Sequence, residues 1–367
     1  MWIPPIKRLS DQRDNLAMSV LSAHQEVYDL RIEQIGLKRE LEALESLKQE
    51  MSQSLENAQN RVAELEQAQE LHALREALGQ KDRDIARFGE EMPWVPNGHF
   101  YSPIPPRHEI EAYCAEAFKS FPRTLPDIDL REEEQLKFIE VARKFYSDLP
   151  FQDDKVDGLR YQYVNQAFIY TDAIMLNAMI RHAQPRRVIE VGSGHSSCML
   201  LDTNELWFDN KIECSFIEPY PELLHSLLKP GDLDRITIYP DRVQDVPLDI
   251  YSALEPNDIL FIDSTHVSRV GSDVNHILFN VLPSIKPGVI IHFHDIIYPF
   301  EYFRFWLEEG RAWNEAYLLR AFLQNNHDYE IVMFNSFMEH FHKPYFAEHM
   351  PLCLRGFGGS IWLRKVR

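Results

Sequence analysis

Apolar residues follow three successive regimes along the chain, and each predicts a different kind of structure. In the first, Leu37, Leu41, Leu44, Met51, Leu55, Ala58, Val62 and Leu65 succeed one another in steps of three and four, with Lys48 breaking the seam once. The phase slips between Leu65 and Leu71, then resumes through Leu74, Leu78, Ile85 and Phe88. This is a heptad register, which implies a left-handed supercoil with partner helices. No proline falls between Pro5 and Pro93, and the window is rich in Leu, Glu, Gln, Lys and Arg, all good helix formers. Residues 1–90 are therefore expected to form an N-terminal coiled coil that assembles a homo-oligomer. Docking to another assembly is the second reading. A single solvated helix laced by i,i+4 charge pairs is the third.

The second regime begins where MPWVPNGHFYSPIPP replaces periodicity with prolines, glycine and aromatics. Its aromatics predict packing on the following domain rather than a loose linker. Helical patterns follow at Arg107–Phe118, Glu132–Tyr146 and Phe168–Ala183, the last with Ala173, Leu176, Met179 and Ile180 on one apolar face. Residues 91–184 read as a linker and helical cap.

From residue 185 to 367 short branched-apolar runs alternate with helical stretches at βαβ spacing, which implies a parallel sheet with right-handed crossovers. Candidate strands are Arg187–Val191, Glu213–Ile217, Arg235–Tyr239, Asp258–Ile262, Val289–His294, Tyr329–Phe334 and Ser360–Lys365. The fold class is α/β, with a doubly wound, mostly parallel sheet. In open sheets of this kind ligands sit at the carboxyl ends of the strands, so polar residues there carry the functional interest.

The strongest signal is RVIEVGSGHSS, Arg187 to Ser197. A buried parallel strand, interrupted by Glu190, breaks into Gly192-Ser193-Gly194 and turns into a helix beginning near Ser196. The glycines permit the sharp turn, and the free N–H groups of the helix start face whatever lies above it. A dinucleotide fingerprint places a small glycine or alanine where this chain has Ser197. Glu190 suits a ligand with a cationic amino-acid end, such as S-adenosylmethionine. A tight βα turn that binds nothing is the plain alternative.

Other strand tips add candidates. Glu218 and Pro219 follow the second strand, where a carboxylate can accept both ribose hydroxyls of an adenosine or simply cap the helix expected over 219–228. Asp241, Arg242 and Val243 follow the third, beside an adenine or as an ordinary turn. Asp263 ends the fourth strand, with His266 three residues on. His292 and His294 share one face of the fifth strand, and Asp295 follows at its tip. Two imidazoles and two carboxylates thus converge from neighbouring strands. A neutral histidine, His266 or His294, can take the proton of a hydroxyl acceptor. Alternatively Asp263, His294 and Asp295 can hold a divalent cation, magnesium or manganese, that orients and acidifies that hydroxyl. The aromatic segment Tyr298, Pro299, Phe300, Tyr302, Phe303, Phe305 and Trp306 reads either as a water-excluding lid that stacks on a sugar or as ordinary packing.

Composition narrows the partners. A formal net charge of −19 argues against nucleic acid and anionic membrane surfaces. No apolar run reaches the length of a membrane span, and the N-terminus MWIPPIKRLSDQRD lacks the features of a signal peptide. Cys114, Cys198, Cys214 and Cys353 are scattered without CxxC spacing, so a cytoplasmic location fits best.

EVGSGHSS, FIEPY, DILFIDSTH and KPGVIIHFHDI, in this order, resemble the class I S-adenosylmethionine-dependent methyltransferases. The FIDSTH and HFHD pair is similar to a branch found among bacterial polysaccharide or cell-envelope genes, as are GHFYSPIPP, GRAWNEAYLLRAFLQ and GGSIWLRKV. The resemblance runs from about residue 97 to the end. It implies a Rossmann-like sheet with an antiparallel last strand, for which Ser360–Lys365 would serve. It also implies that Glu190, Gly192, Ser193 and Gly194 line the methionine end of the donor, that Glu218 holds the ribose, that Asp241–Val243 lies near the adenine, and that Asp263 stands beside the transferred methyl. In cation-dependent members an acidic or amide pair follows the fifth strand, and this chain has His294-Asp295 instead. The expected activity is O-methylation of a glycan or related small hydroxylated metabolite. The rivals are a non-catalytic scaffold carrying a methyltransferase-like domain and an NAD-dependent oxidoreductase.

Overall fold

The branched side chains of Val188, Ile189 and Val191 are buried with Glu190 among them, and they make β1 (Arg187–Val191) the centre of a seven-stranded sheet. The computed structural model describes residues 94–367 and, before them, Ser52 alone, so the coiled coil expected over residues 1–90 lies outside the described residues. The other strands are β2 (Glu213–Ile217), β3 (Ile236–Tyr239), β4 (Ile259–Ile262), β5 (Ile290–Phe293), β6 (Tyr329–Phe334) and β7 (Ile361–Lys365). They lie in the order β3-β2-β1-β4-β5-β7-β6. β1 to β5 are parallel, and β7 inserts antiparallel to both β5 and β6. This is the doubly wound, Rossmann-like methyltransferase fold with its antiparallel last strand. Every residue of β4 and β5 is buried, as strands covered on both faces require.

Several strands are shorter than the apolar runs that predict them, for a polar reason. Asp258 stands before β4 instead of inside it, because its carboxylate accepts the backbone N–H groups of Arg186, Arg187 and Glu255. It ties the start of β4 to the start of β1. At the opposite end, backbone bonds continue past the strands. Gly192 N–H donates to Ile217 O, Glu218 N–H to Tyr239 O, Asp263 N–H to Val191 O and His294 N–H to Ile262 O, at 2.9–3.0 Å. The tips that carry the candidate residues are thus hydrogen-bonded to one another.

The helices that bear on the site are α1 (Ile110–Ala117), α2 (Glu132–Tyr146), α3 (Tyr170–Ala183), α4 (His195–Phe208) and α5 (Glu222–Leu227). α2 is amphipathic, burying Gln135, Phe138, Ile139 and Ala142, with Glu132–Glu134 in its first turn and Arg143 and Lys144 in its last, as the helix dipole favours. α3 departs from expectation. Every residue from Tyr170 to Ile180 is buried, so it is a central helix of the core and not a cap with a single apolar face. The segment before α1 also differs. Phe100 and Tyr101 are exposed; Phe100 stacks on His99, and Tyr101 packs against both rings at a tilt.

One buried ion cluster fixes α4. The Arg160 guanidinium bonds Asp202 and Glu205 of α4 and, with its other nitrogens, Asp232. The side chains of Arg160, Asp202 and Asp232 are almost wholly buried. Removing one partner of such a cluster strands the other charges without solvent. Arg160→Ala is expected to lower stability by about 3–5 kcal/mol, read as a shift of the urea unfolding midpoint. A shift under about 1 kcal/mol would contradict the burial of these charges.

Candidate active site

The turn after β1 is constrained by contact as well as by conformation. Gly192 has φ +79°, in the left-handed region, and a Cβ built on it would lie 1.8 Å from the Asp263 carbonyl oxygen. Only glycine fits where the tips of β1 and β4 meet. The chain then turns into α4, whose first turn is closed by Gly194 N–H donating to Ser197 Oγ at 3.1 Å. Ser197 Oγ accepts there, and its own hydroxyl proton is left for Glu190.

Glu190 projects from β1 into the interior and is fully buried. One oxygen accepts the Ser196 hydroxyl, while Oε2 has no partner. Burial pushes its pKa up to about 8, against the hydrogen bonds from Ser196 and Ser197, with Asp263 and Glu218 adding to the rise. Ser193 Oγ, at the turn itself, and Ser264 Oγ, just after β4, are likewise buried without partners. Glu218 is partly buried. It accepts the Ser193 N–H at 3.2 Å through one oxygen and the Tyr220 N–H at 2.8 Å through the other, so it braces the glycine turn and does not cap α5. Pro219 and Asp241 are exposed. Arg242 is exposed and paired with Asp245, whereas Val243 is buried in the core. Arg242 and Gln244 line an open hollow of about 440 Å³ with Ser272, Asn275 and His276.

The structure brings Asp263, His266, His294 and Asp295 together. His266 Nε2 stands 3.4 Å from Asp263 Oδ1 and 3.5 Å from Asp295 Oδ2, and His294 Nε2 stands 3.7 Å from Asp295 Oδ1. His266 and Asp295 both adopt left-handed backbone, φ 61° and 55°, a conformation that costs energy outside glycine. Nδ1 of His266 bonds Glu315 Oε2 at 2.8 Å. Glu315 was not anticipated; it lies 49 positions away in sequence, and only its burial as an acid marks it. Burial alone would lower the His266 pKa, but Asp263 and Glu315 outweigh it and hold the ring protonated well above its ordinary range. The Asp263 carboxyl lies below its ordinary range: burial raises it, and the charges of His294 and His266 overcome that.

His294 is raised too. Burial lowers it, and Asp263, Asp295 and Asp172 more than compensate. His292 shares its face of β5 but lies deeper, stacked on Phe261 at 3.8 Å, and burial pushes it well below its ordinary range. It is a core residue.

Two of the open readings gain no support here. For the metal set of Asp263, His294 and Asp295, no group of three or more His, Cys, Asp or Glu side chains among the described residues is set to hold a metal ion. The physical reason is that the His266 ring lies between the two carboxylates and supplies the positive charge a cation would bring. The aromatic segment is not a lid over the site. Tyr298, Phe300, Tyr302, Phe303 and Trp306 are buried in the core, with Tyr298 packed on Phe334 and Phe337.

An α/β fold with a glycine turn and an acid/histidine cluster at the switch of strand order defines a class: a Rossmann-like protein of methyltransferase type. Residues 189–296 match a family model described as a methyltransferase domain. An uncharacterized protein of Archaeoglobus fulgidus is 35% identical over 183 residues, which are 48% of this chain and 79% of that protein. The chain belongs to the same family as that archaeal protein and carries a methyltransferase domain. Among solved structures, the O-methyltransferase TomG of Streptomyces achromogenes, in complex with SAM, is 16% identical with a TM-score of 0.37, covering 71% of this chain and 96% of its own. The SAH-bound methyltransferase PaMTH1 of Podospora anserina is 15% identical with a TM-score of 0.36, covering 75% and 100%.

Glu190 generates a pH prediction. Its carboxyl ionises near 4.5 when exposed and near 8 in the folded protein, so folding takes up a proton between those values. The stability of the ligand-free protein therefore falls as pH rises from about 4.5 to 8 through this group. Glu190→Gln, neutral throughout, is expected to gain in unfolding temperature over the parent across that window and to hold a constant gain above it. A gain that is the same at pH 5 and pH 8 would contradict the assignment.

Proposed function

We propose that the chain is an S-adenosylmethionine-dependent O-methyltransferase acting on a glycan or related small hydroxylated metabolite. The observation that carries the reading is the unpartnered Glu190 Oε2, buried beside a turn that admits only glycine. A buried carboxylate oxygen without a donor is costly unless a ligand supplies one, and an ammonium group does so. The residues present therefore fit this cofactor. Glu190 would meet the amino end of the donor, with Gly192, Ser193, Gly194 and Ser196 forming the floor and helix start below it. Glu218 would take the ribose hydroxyls, and the Asp241–Val243 segment would border the adenine beside Pro219.

When bound, S-adenosylmethionine supplies a methyl carbon on a positively charged sulfur. The protein's part is alignment and removal of one proton. His266 faces carboxylates through both nitrogens, so both nitrogens donate and no lone pair is left to accept. It would serve as a fixed cation that bridges Asp263 and Asp295. His294 would then be the base: its Nε2 would take the acceptor's hydroxyl proton, while the donor would supply the methyl group and keep the carbon–sulfur electron pair on its sulfur. Burial works to lower the His294 pKa, but Asp263, Asp295 and Asp172 raise it above its ordinary value, which makes the ring a stronger base. No step passes through a metal.

The formal net charge of −19 favours a small acceptor over nucleic acid. Residues 1–90 would supply the homo-oligomer.

Calorimetry with S-adenosylmethionine and with NAD tests the cofactor, and conversion to S-adenosylhomocysteine with a panel of methyl hexosides and phenolic glycosides tests the chemistry. Binding of the former alone is expected, and Gly192→Ala should weaken it at least about tenfold, or 1.4 kcal/mol. Binding of NAD in its place would overturn the reading, and donor binding without turnover would favour a scaffold. His294→Gln should reduce turnover by about 10²-fold or more with donor affinity kept. His266→Gln should instead disturb the positions of Asp263 and Asp295.

A further inference from the structure

Behind His294 lies a polar chain that the proposed chemistry does not yet use. Asp172, in the first turn of the buried helix α3, is 3% exposed. Its Oδ1 accepts the Ser360 hydroxyl at 2.5 Å and the Asn335 side-chain amide at 2.8 Å, and its Oδ2 accepts the Gly359 N–H at 3.0 Å. Ser360 stands just before β7. Its Oγ lies 2.9 Å from His292 Nε2 and 3.5 Å from His294 Nδ1.

The direction of these bonds follows from counting protons. Asp172 faces three donors, the arrangement of an ionised, acceptor-only carboxylate. A serine hydroxyl has one proton, and the 2.5 Å contact commits it to Asp172. Ser360 Oγ is left with lone pairs only, so a ring nitrogen that faces it must donate. His292 therefore carries its proton on Nε2 and His294 on Nδ1. A neutral imidazole has one N–H, so the lone pair of His294 falls on Nε2, which stands 3.7 Å from Asp295 Oδ1, beyond hydrogen-bond distance.

We propose that Asp172, acting through Ser360, is a positioning residue that fixes His294 in its Nδ1–H form and so leaves Nε2 as the atom that accepts the proton. This rests on the reading of His294 as the base. It extends that reading to α3 and β7, elements outside the strand tips. The buried cost of Asp172 is offset by its three donors and by the charge of His294, which works against the rise that burial causes in its pKa. The groups facing His294 are Asp263, Asp295 and His266 at the tips, and Asp172, Ser360, His292 and the Phe168 ring below.

The test reads the tautomer directly, in the full chain labelled with nitrogen-15 histidine, at a pH high enough that His294 is neutral. Long-range proton–nitrogen spectra distinguish a protonated from a bare ring nitrogen, and His294→Gln assigns the signals. The parent is expected to show His294 protonated on Nδ1 by about tenfold or more, the weight of one buried hydrogen bond. Ser360→Ala should collapse that preference. Asp172→Asn, which no longer commits the serine proton to an ionised carboxylate, should weaken it. Calorimetric binding of S-adenosylmethionine by both variants serves as the check on folding, and affinity within about twofold of the parent is expected. If Asp172→Asn fails to fold, Ser360→Ala alone decides. His294 found as the Nε2–H form in the parent, or unchanged in Ser360→Ala, would overturn the proposal. Absence of methyl transfer by the parent would count against the proposed reaction, whereas the spectra would still decide the tautomer.

Discussion

The close approach of Gly192 to the Asp263 carbonyl is the constraint on which the site depends. The turn after β1 and the end of β4 occupy nearly the same space, and only the absence of a side chain permits it. The Asp263 N–H returns the contact by bonding Val191 O. With those two tips locked, the residues that follow them have little freedom. Glu190 and Ser196 are set on one side, and Asp263 and His266 on the other, across the point where strand order reverses.

Charge is arranged around that lock in two layers. Near the tips, one protonated imidazole is shared among three carboxylates: Glu315 through Nδ1, Asp263 and Asp295 through Nε2. A cation held this way helps to keep the Asp263 carboxyl below its ordinary range against the effect of burial. Deeper, a single buried carboxylate on α3 gathers a serine, an asparagine and a backbone amide. Each layer leaves one histidine in a defined state, His266 charged and His294 with a free nitrogen. The two imidazoles that look equivalent along the chain are therefore not interchangeable. Their difference comes from what stands on the far side of each ring.

Much of this architecture is legible in the chain alone. Runs of five or six residues rich in branched apolar side chains located all seven strands, most cleanly β4 and β5, which are covered on both faces and buried throughout. The strand ends were less legible. Asp258 looks like part of an apolar run, yet its carboxylate is taken by backbone amides that only the folded sheet brings near. The aromatic segment after β5 could be read two ways, and burial decides for packing. Glu190 and Asp172 are instructive together. Each is an acid interrupting an apolar stretch, RVIEV and YTDAIML, but only the first is followed by a glycine turn that draws attention. Glu315 and Ser360 were out of reach, since their partners lie 49 and 66 or more positions away and no local period links them.

The central claim is that a buried acid with one empty oxygen and a turn without side chains together receive a charged amino-acid end. The most direct measurement is a crystal structure of the protein with S-adenosylhomocysteine bound. The account predicts the amino group within about 3 Å of Glu190 Oε2 and the chain of the ligand lying across Gly192 and Gly194. Density for the ligand elsewhere, or a protein side chain paired with that oxygen in the complex, would contradict it.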